Sequence, residues 1–563
     1  MRKLGVILLA LVGLASTVKA QDLGNIGKQP PVKVSGGINT TAIAYHAQGI
    51  ESRRDPFNWF LTGNINLSLY GWNVPFSFSY SNQNKTFRQP FNQFGVAPHY
   101  KWAKAYVGYN TLNYSSYTLA GHLFLGGAVE LTPGKFRFNA MYGQLNRAVE
   151  EDTLSNENVI PAFQRMGYGM KVGYGDNQNF IDLIIFGASD DINSLNTIPD
   201  STEVLPQENL VFSLVGKKQL TKRIGVNAEW ATSAITRDTR APETNGGRQF
   251  FSAWGGLFSP RESTQYYDAV KASLFYAGNA YTLQANYERV DPGYQTLGTY
   301  FFNNDLENIT VSTSVRMFQS KLNLSANVGT QRNNLDDTEV SAVERVVSSA
   351  SLNYIPNQKW NFNGTYSNFT TFTNVRPRFD PFFQDDLDTL NFYQVNQNAS
   401  AAVAYNFGDQ NRKHGLFFNG SYQIANEESD SETQEDSQTT FFSGNVAYRY
   451  GLVPKNMNIA VALNFNHSEL PGNQSTTFGP NVSVSRAFLE KTLRTTVSTS
   501  FNRVENNGEV GSQVFNMRLN GSYKLKDHHT FSLNAIMLRR LASVNTENPF
   551  TEYTITMNYG YRF

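Results

Sequence analysis

Residues Tyr553 to Phe563 alternate without a break. Tyr553, Ile555, Met557, Tyr559, Tyr561 and Phe563 are apolar or aromatic, and Thr554, Thr556, Asn558, Gly560 and Arg562 between them are polar or glycine. Successive side chains of a strand point to opposite faces, so this stretch has one greasy face and one wet face. Eleven residues is also about the length a tilted strand needs to cross a bilayer core. Beyond the first twenty residues the chain has no apolar run of about 18 residues, so no segment of the mature chain spans as a helix. For a chain that must cross a membrane, a closed barrel is then the remaining solution, because an open sheet edge in lipid leaves backbone groups unpaired.

The terminal strand closely resembles the C-terminal targeting strand of bacterial outer-membrane β-barrels, the signal their assembly machinery recognises. That resemblance implies outer-membrane localisation, contact with outer-membrane lipid and lipopolysaccharide, and engagement of the barrel assembly machinery through Tyr553, Ile555, Met557, Tyr559, Tyr561 and Phe563. The other end agrees. Arg2 and Lys3, the apolar run Leu4 to Ala15 and the small-x-small site Val18-Lys19-Ala20 read as a secretory signal peptide over residues 1–20. No cysteine exists to carry a lipid anchor, a disulfide or a thiolate metal site.

Composition fits a barrel. Mean hydropathy is −0.40 and hydrophobic content 40%, because only alternate residues need be apolar. The 41 Phe and 29 Tyr suit interfacial girdles and argue against disorder. A formal net charge of +1 gives no reason to expect a nucleic-acid partner.

Hairpin signals recur along the chain. Leu123–Leu131 meets Phe136–Tyr142 through Thr132-Pro133-Gly134, Val346–Tyr354 meets Trp360–Tyr366 through Ile355-Pro356-Asn357-Gln358, and Val514–Leu525 meets Phe531–Leu538 through Lys526-Asp527-His528. Short connections (132–134, 216–222, 355–358, 454–456, 526–529) alternate with long ones (147–163, 190–208, 237–264, 290–306, 373–389, 426–438). This is the asymmetry of tight periplasmic turns and long extracellular loops. The expected fold is an all-β, transmembrane, antiparallel up-and-down barrel of about 24 strands (range 22–26), spanning residues 57–563. Residues 21–56 are expected to form an N-terminal segment lying partly inside the barrel, and 84–98 an inward-folded segment. The stretch 33–46 is a weak strand, and residues 33–115 hold the ambiguity in the count.

No motif carries catalysis. H-E-x-x-H, G-x-S-x-G, P-loop and C-x-x-C are all absent, so no enzyme and no cofactor are expected. Gly167, Gly169 and Gly173 have the wrong spacing for a dinucleotide loop and read as sites of close packing. His528-His529 reads as a solvated turn. The acidic stretch containing Glu427, Glu428, Asp430 and Glu432 is a weak Ca²⁺ candidate that more simply reads as a solvated loop. Two loops are aromatic beyond what free solvation tolerates: Phe250, Phe251, Trp254 and Phe258 in one, and Phe379, Phe382 and Phe383 with Arg376 and Arg378 in the other. They are expected to fold inward as a constriction, with docking of a protein partner as the alternative. The short turns lean basic (Lys217, Lys218, Lys222, Arg223, Arg412, Lys413, Lys455).

The Asn-, Phe- and Tyr-rich strands ending in Tyr-Arg-Phe resemble large outer-membrane barrels of Bacteroidota. Asp152-Thr153-Leu154, Asp200-Ser201-Thr202 and Asp388-Thr389-Leu390 resemble the O-glycosylation pattern of that phylum. Residues 21 to about 58 are too short for a plug domain, which sets active uptake aside. The expected function is a porin-like channel for hydrophilic solutes. The competing reading is a non-conducting structural or scaffold subunit of an outer-membrane secretion or assembly complex.

Overall fold

The computed structural model describes residues 32–82, 91–150, 161–196, 204–244, 246–252, 257–336, 344–368, 373–375, 390–392, 397–427, 437–541 and 549–563. One antiparallel sheet takes in almost all of them and closes on itself, because Val32–Gln48 pairs on one side with Phe57–Leu69 and on the other with Phe550–Arg562. The sheet has 26 strand positions. Gln93–Val96 and His99–Tyr100 share one of them, between Trp72–Ser81 and Ala103–Asn113. A separate two-stranded hairpin, Thr373–Val375 with Leu390–Phe392, lies within the connection after Trp360–Ser367.

The count of 26 lies within the expected range of 22–26. Two expectations are corrected here. Residues 32–48 are a wall strand, not a segment within the lumen, so the barrel begins at Val32 rather than at 57. Residues 93–100 are also wall rather than an inward fold. The signal there is short because Pro98 lacks an N–H and interrupts the ladder after Val96. The strand holds register through the Ala97 N–H, which donates to the Pro75 carbonyl, and the Ala105 N–H, which donates to the Pro98 carbonyl. With these two strands the total is 26, an even number, as antiparallel closure requires.

The two ends of the barrel differ. At one end every connection is short, from Tyr70-Gly71 to 526–528. At the other end long loops dominate, with two tight exceptions at Pro471-Gly472 and Asn507-Gly508. Asn507 and Gly508 both have left-handed backbones (φ 51° and 83°), the two-residue turn that matches strand twist. The asymmetry places the short turns at the periplasmic side of an outer-membrane barrel.

Aromatic side chains concentrate at the short-turn end of the apolar face. Trp360 stacks on Tyr405 (4.4 Å), Tyr405 on Phe407, Phe407 on His414 (4.9 Å), and Phe531 on Tyr559 (5.0 Å). Trp59 with Tyr80 and Phe442 with Phe465 lie toward the other end. Amphipathic rings at both edges of an apolar band mark two membrane interfaces.

Candidate functional site

Which face is the lumen follows from contacts that only a concave surface allows. Tyr117, beyond the end of Ala103–Asn113, donates from its hydroxyl to Glu288 at 2.7 Å, although many strands separate the two around the wall. Tyr294 donates to the Tyr117 carbonyl (2.8 Å) and Thr296 to the Thr118 carbonyl (2.8 Å). Such chords cannot form on the convex side. Glu288, and with it Lys271, Glu229, Ser213, Asp182 and Arg137 through the pairing register, therefore point inward. Alternate residues Leu183, Leu214, Trp230, Leu274 and Leu283 are exposed on the convex face and meet lipid.

Two connections at the long-loop end fold into the lumen, residues 114–119 and 291–305. Tyr114, Leu119 and Leu297 pack with Phe124, Met141, Leu145, Ile184 and Phe186 of the inner wall, and Tyr117 and Tyr294 with Ala231, Ala269 and Val290. Apolar luminal residues at this end are thus buried against the loops rather than against water. Polar ties fix the register. Asn209, 1% exposed, accepts from the Leu297 N–H (3.1 Å) and donates to Ser233 Oγ and to the Ala234 carbonyl. Ser233 Oγ donates to the Gln295 carbonyl at 2.7 Å, and the Ala120 N–H to the Gly298 carbonyl. Gly298 is required by proximity, since a Cβ there would stand 2.4 Å from the Thr118 carbonyl oxygen. Burial, reinforced by Glu288, raises the Tyr117 hydroxyl far above its ordinary titration range, and burial does the same for Tyr294. Both remain hydrogen-bond donors at any physiological pH.

Below this plug lies a belt of inward charges. Arg137 Nη2 meets Asp182 Oδ1 at 2.5 Å, with Lys171 3.9 Å from the other oxygen. In the same belt Lys271 lies 3.8 Å from Glu288, Glu229 accepts from Ser213, and Glu130 accepts from Tyr106, while at the long-loop rim Arg165 grips Asp190 through two bonds of 2.7 and 2.9 Å. Gly173 makes room for the central pair: a Cβ would fall 1.8 Å from Asp182 Oδ1. Of the glycines on this strand, Gly169 admits an aromatic ring, that of Tyr114, while Gly173 admits a carboxylate.

The remainder of the inner wall, from Tyr281–Val290 round to Val32–Gln48, is lined by amides and hydroxyls that bond across strands. Ser312 donates to Asn327 (2.9 Å), Thr365 bonds Ser400 (2.6 Å), Ser421 bonds Ser443 (2.6 Å), Asn445 donates to Asn464 (2.6 Å) and Thr41 donates to Asn558 (2.6 Å). These groups solvate water and hydrophilic solutes and offer nothing to hydrocarbon.

The described residues of the aromatic loop 237–264 do not enter the lumen. Phe251, fully buried, and Phe258 pack on Leu210, Phe212, Ile185 and Ala234, which belong to the convex face. Phe212 meets the ring of Phe250 at 4.8 Å and that of Phe251 at 5.6 Å. Tyr168 donates to the Leu257 carbonyl, and Arg248 pairs with Asp268 at 2.8 Å. The loop lies over the outside of the barrel at its long-loop rim. Aromatic content alone does not say which side of a wall will cover such a loop. Trp254, and Arg376, Arg378, Phe379, Phe382 and Phe383 of the second aromatic loop, lie outside the described residues. So do Glu428, Asp430 and Glu432; Glu427 ends its strand at the rim. Among the described residues no group of three or more metal-ligating side chains comes together. His528 and His529 turn to separate partners, the Arg562 carbonyl and the Tyr559 hydroxyl. The true plug loops were visible in outline. Tyr294 to Phe302 is as aromatic as the loop at 250–258, and Tyr114 to Leu119 carries two tyrosines in six residues.

No family model matches the sequence, and no curated protein matches it. Among solved structures the chain is similar to the translocation pore of the P pilus usher, at 12% identity over 94% of this chain and 99% of that one, with a TM-score of 0.39. It is also similar to Pseudomonas aeruginosa FpvA in complex with an iron-loaded pyoverdine, at 10% identity over 95% and 72% of the two chains (TM-score 0.34). A third is OccAB2 of Acinetobacter baumannii, at 10% identity over 64% and 93% (TM-score 0.28). Likeness at this level adds no argument to the geometry.

Proposed function

We propose that the protein is a porin-like outer-membrane channel for hydrophilic solutes, narrowed by loops 114–119 and 291–305. The observation that carries this reading is the continuous hydrogen-bonding inner wall, occluded on one side by a plug that is tied down through a few polar contacts rather than built as a separate domain. A sheet of this size encloses a lumen wide enough for an aqueous passage, and an outer membrane cannot tolerate it fully open. Two segments packed against one side of the wall reduce the bore and leave the amide-lined side as the path. Selection then follows from bore width and from the groups lining the path.

The test is electrical. Purified protein in planar bilayers is expected to give small, discrete conductance steps. Weakening the plug with Asn209→Ala and Thr296→Val together is expected to raise the unit conductance or the open fraction. Silent bilayers from both proteins would overturn the channel reading. Phe250 and Leu257 remain exposed on the outer loop, which supports a second reading, lateral docking to a membrane partner. Stoichiometric co-purification in mild detergent, lost in Phe250→Ser/Leu257→Ser, is the outcome that would favour it.

A further inference from the structure

The short-turn mouth carries inward cations that no facing acid offsets. Lys33, Lys217, Arg316, Lys413 and Arg494 each lie within three residues of the short-turn end of a strand, at one depth, and they are spread around the circumference. Each has luminal parity: Lys217 alternates with Ser213, Arg316 with Ser312, Lys413 with Asn419, Arg494 with Ser498, and Lys33 with Thr41. Their cross-strand neighbours are neutral. Lys33 faces Ser68, Lys217 faces Phe180 and Asn227, Arg316 faces Asn323, Lys413 faces Gly408 and Gly451, and Arg494 faces Ala487 and Ser522. Lys33, Arg316, Lys413 and Arg494 are exposed to the water of the mouth.

The inward acids give no comparable field. Asp182, Asp190 and Glu288 are held by Arg137, Arg165 and Lys271, Glu229 also faces Lys271 across the ladder, Glu130 faces Lys104 likewise, and Glu552 accepts from Tyr45. Each of these either sits beside a cation or lies at the far rim. A ring of cations in a low-dielectric wall raises the local anion concentration and repels cations, over a range of about 8 Å at physiological salt.

We infer that the periplasmic mouth of this barrel is an anion-selecting ring, so that the solutes it passes are small hydrophilic anions such as carboxylates and phosphate esters. The inference rests on the channel reading above. The ring sets charge preference at the mouth, and the amide and hydroxyl wall beyond it replaces the hydration of whatever the ring admits.

The experiment is a reversal-potential measurement in planar bilayers under a tenfold KCl gradient, using the intact protein and the Asn209→Ala/Thr296→Val protein. The expected result is a severalfold permeability preference for chloride over potassium, which grows as salt is lowered. The triple variant Arg316→Glu/Lys413→Glu/Arg494→Glu is expected to abolish or invert that preference while still conducting. Lys218→Glu, which changes an outward charge at the same depth, is expected to leave it unchanged. A conducting pore with potassium preference, or a chloride preference that survives the triple reversal, overturns the inference and leaves the channel reading standing. Bilayers silent with both the intact and the plug-weakened protein overturn the two together.

Discussion

Single residues carry the tightest constraints in this wall, and Gly173 is the clearest case. It lies on Gln164–Gly175, opposite Asp182, at the point where Arg137 and Lys171 converge on one nearly buried carboxylate. Any side chain there occupies the volume of Asp182 Oδ1. Gly173→Ala is expected to displace the carboxylate and break the pair on one side, and breaking a buried pair costs about 3–5 kcal/mol. Thermal unfolding in detergent, read as loss of the heat-resistant compact band on gels, should shift to lower temperature. A barrel as stable as the parent would mean that the pair contributes nothing.

Asp176 acts differently. It opens the turn before Phe180–Asp191, and its carboxylate accepts the N–H groups of Gln178 and Asn179, both at 2.9 Å. Those bonds favour the ionised form and hold its pKa below the ordinary carboxylate value. A lowered native pKa means the contribution is present above the unfolded pKa and fades as pH falls through the native one. The stability gap between the parent and Asp176→Ala should therefore be largest at neutral pH and close in acid. A gap that widens on acidification contradicts the assignment.

At the level of elements, what the sequence made legible was alternation, and what it hid was sidedness. The hairpins at 123–142, 346–366 and 514–538 pair as their turn chemistry indicates, because Pro, Gly, Asn and Asp in short connections act locally and need no knowledge of the rest of the chain. The strand at 93–100 was missed because Pro98 cuts its period into fragments too short to read. The strand at 32–48 looked weak because Gly36-Gly37 and Thr40-Thr41 dilute its apolar face. Its place is set by two partners at once, one of which is more than 500 residues away in sequence. The loop around Phe251 shows the same limit. Burial was foreseeable, but which face of the wall would provide it depends on Phe212 and Tyr266, whose orientation is a consequence of closure.

That loop offers a test at its own scale. Phe251 is its anchor, touching Phe212, Phe258 and Tyr266. Phe251→Ala removes a fully buried ring, a change worth about 3–5 kcal/mol in a packed core. The cost should fall on the docking of the loop and not on the barrel, since the strands beneath keep their ladders. The variant is expected to retain heat-resistant migration while becoming cleavable by added protease within 237–263. Continued protection would place the anchor elsewhere in the loop.

For the whole molecule, the decisive property is that one closed sheet has a lipid side and a water side differing by a single residue of register. Leu463 and Ala462 put this to a direct comparison near the middle of Met457–Leu470. Leu463 is 48% exposed on the convex face beside Val446, whereas Ala462 shares the luminal parity of Asn464, which bonds Asn445. An arginine at the lipid-facing position meets hydrocarbon near the bilayer midplane, at a cost of about 2–4 kcal/mol. The same arginine one residue earlier projects into an aqueous lumen already lined with polar groups, and should cost little. Leu463→Arg is therefore expected to fold and insert poorly into lipid vesicles, while Ala462→Arg inserts like the parent and shifts the reversal potential further toward chloride. The opposite ranking would reverse the two faces of the barrel. The plug, the charged belt and the basic mouth would then all lie on the lipid side, so this one pair of substitutions bears on the functional reading as much as on the fold.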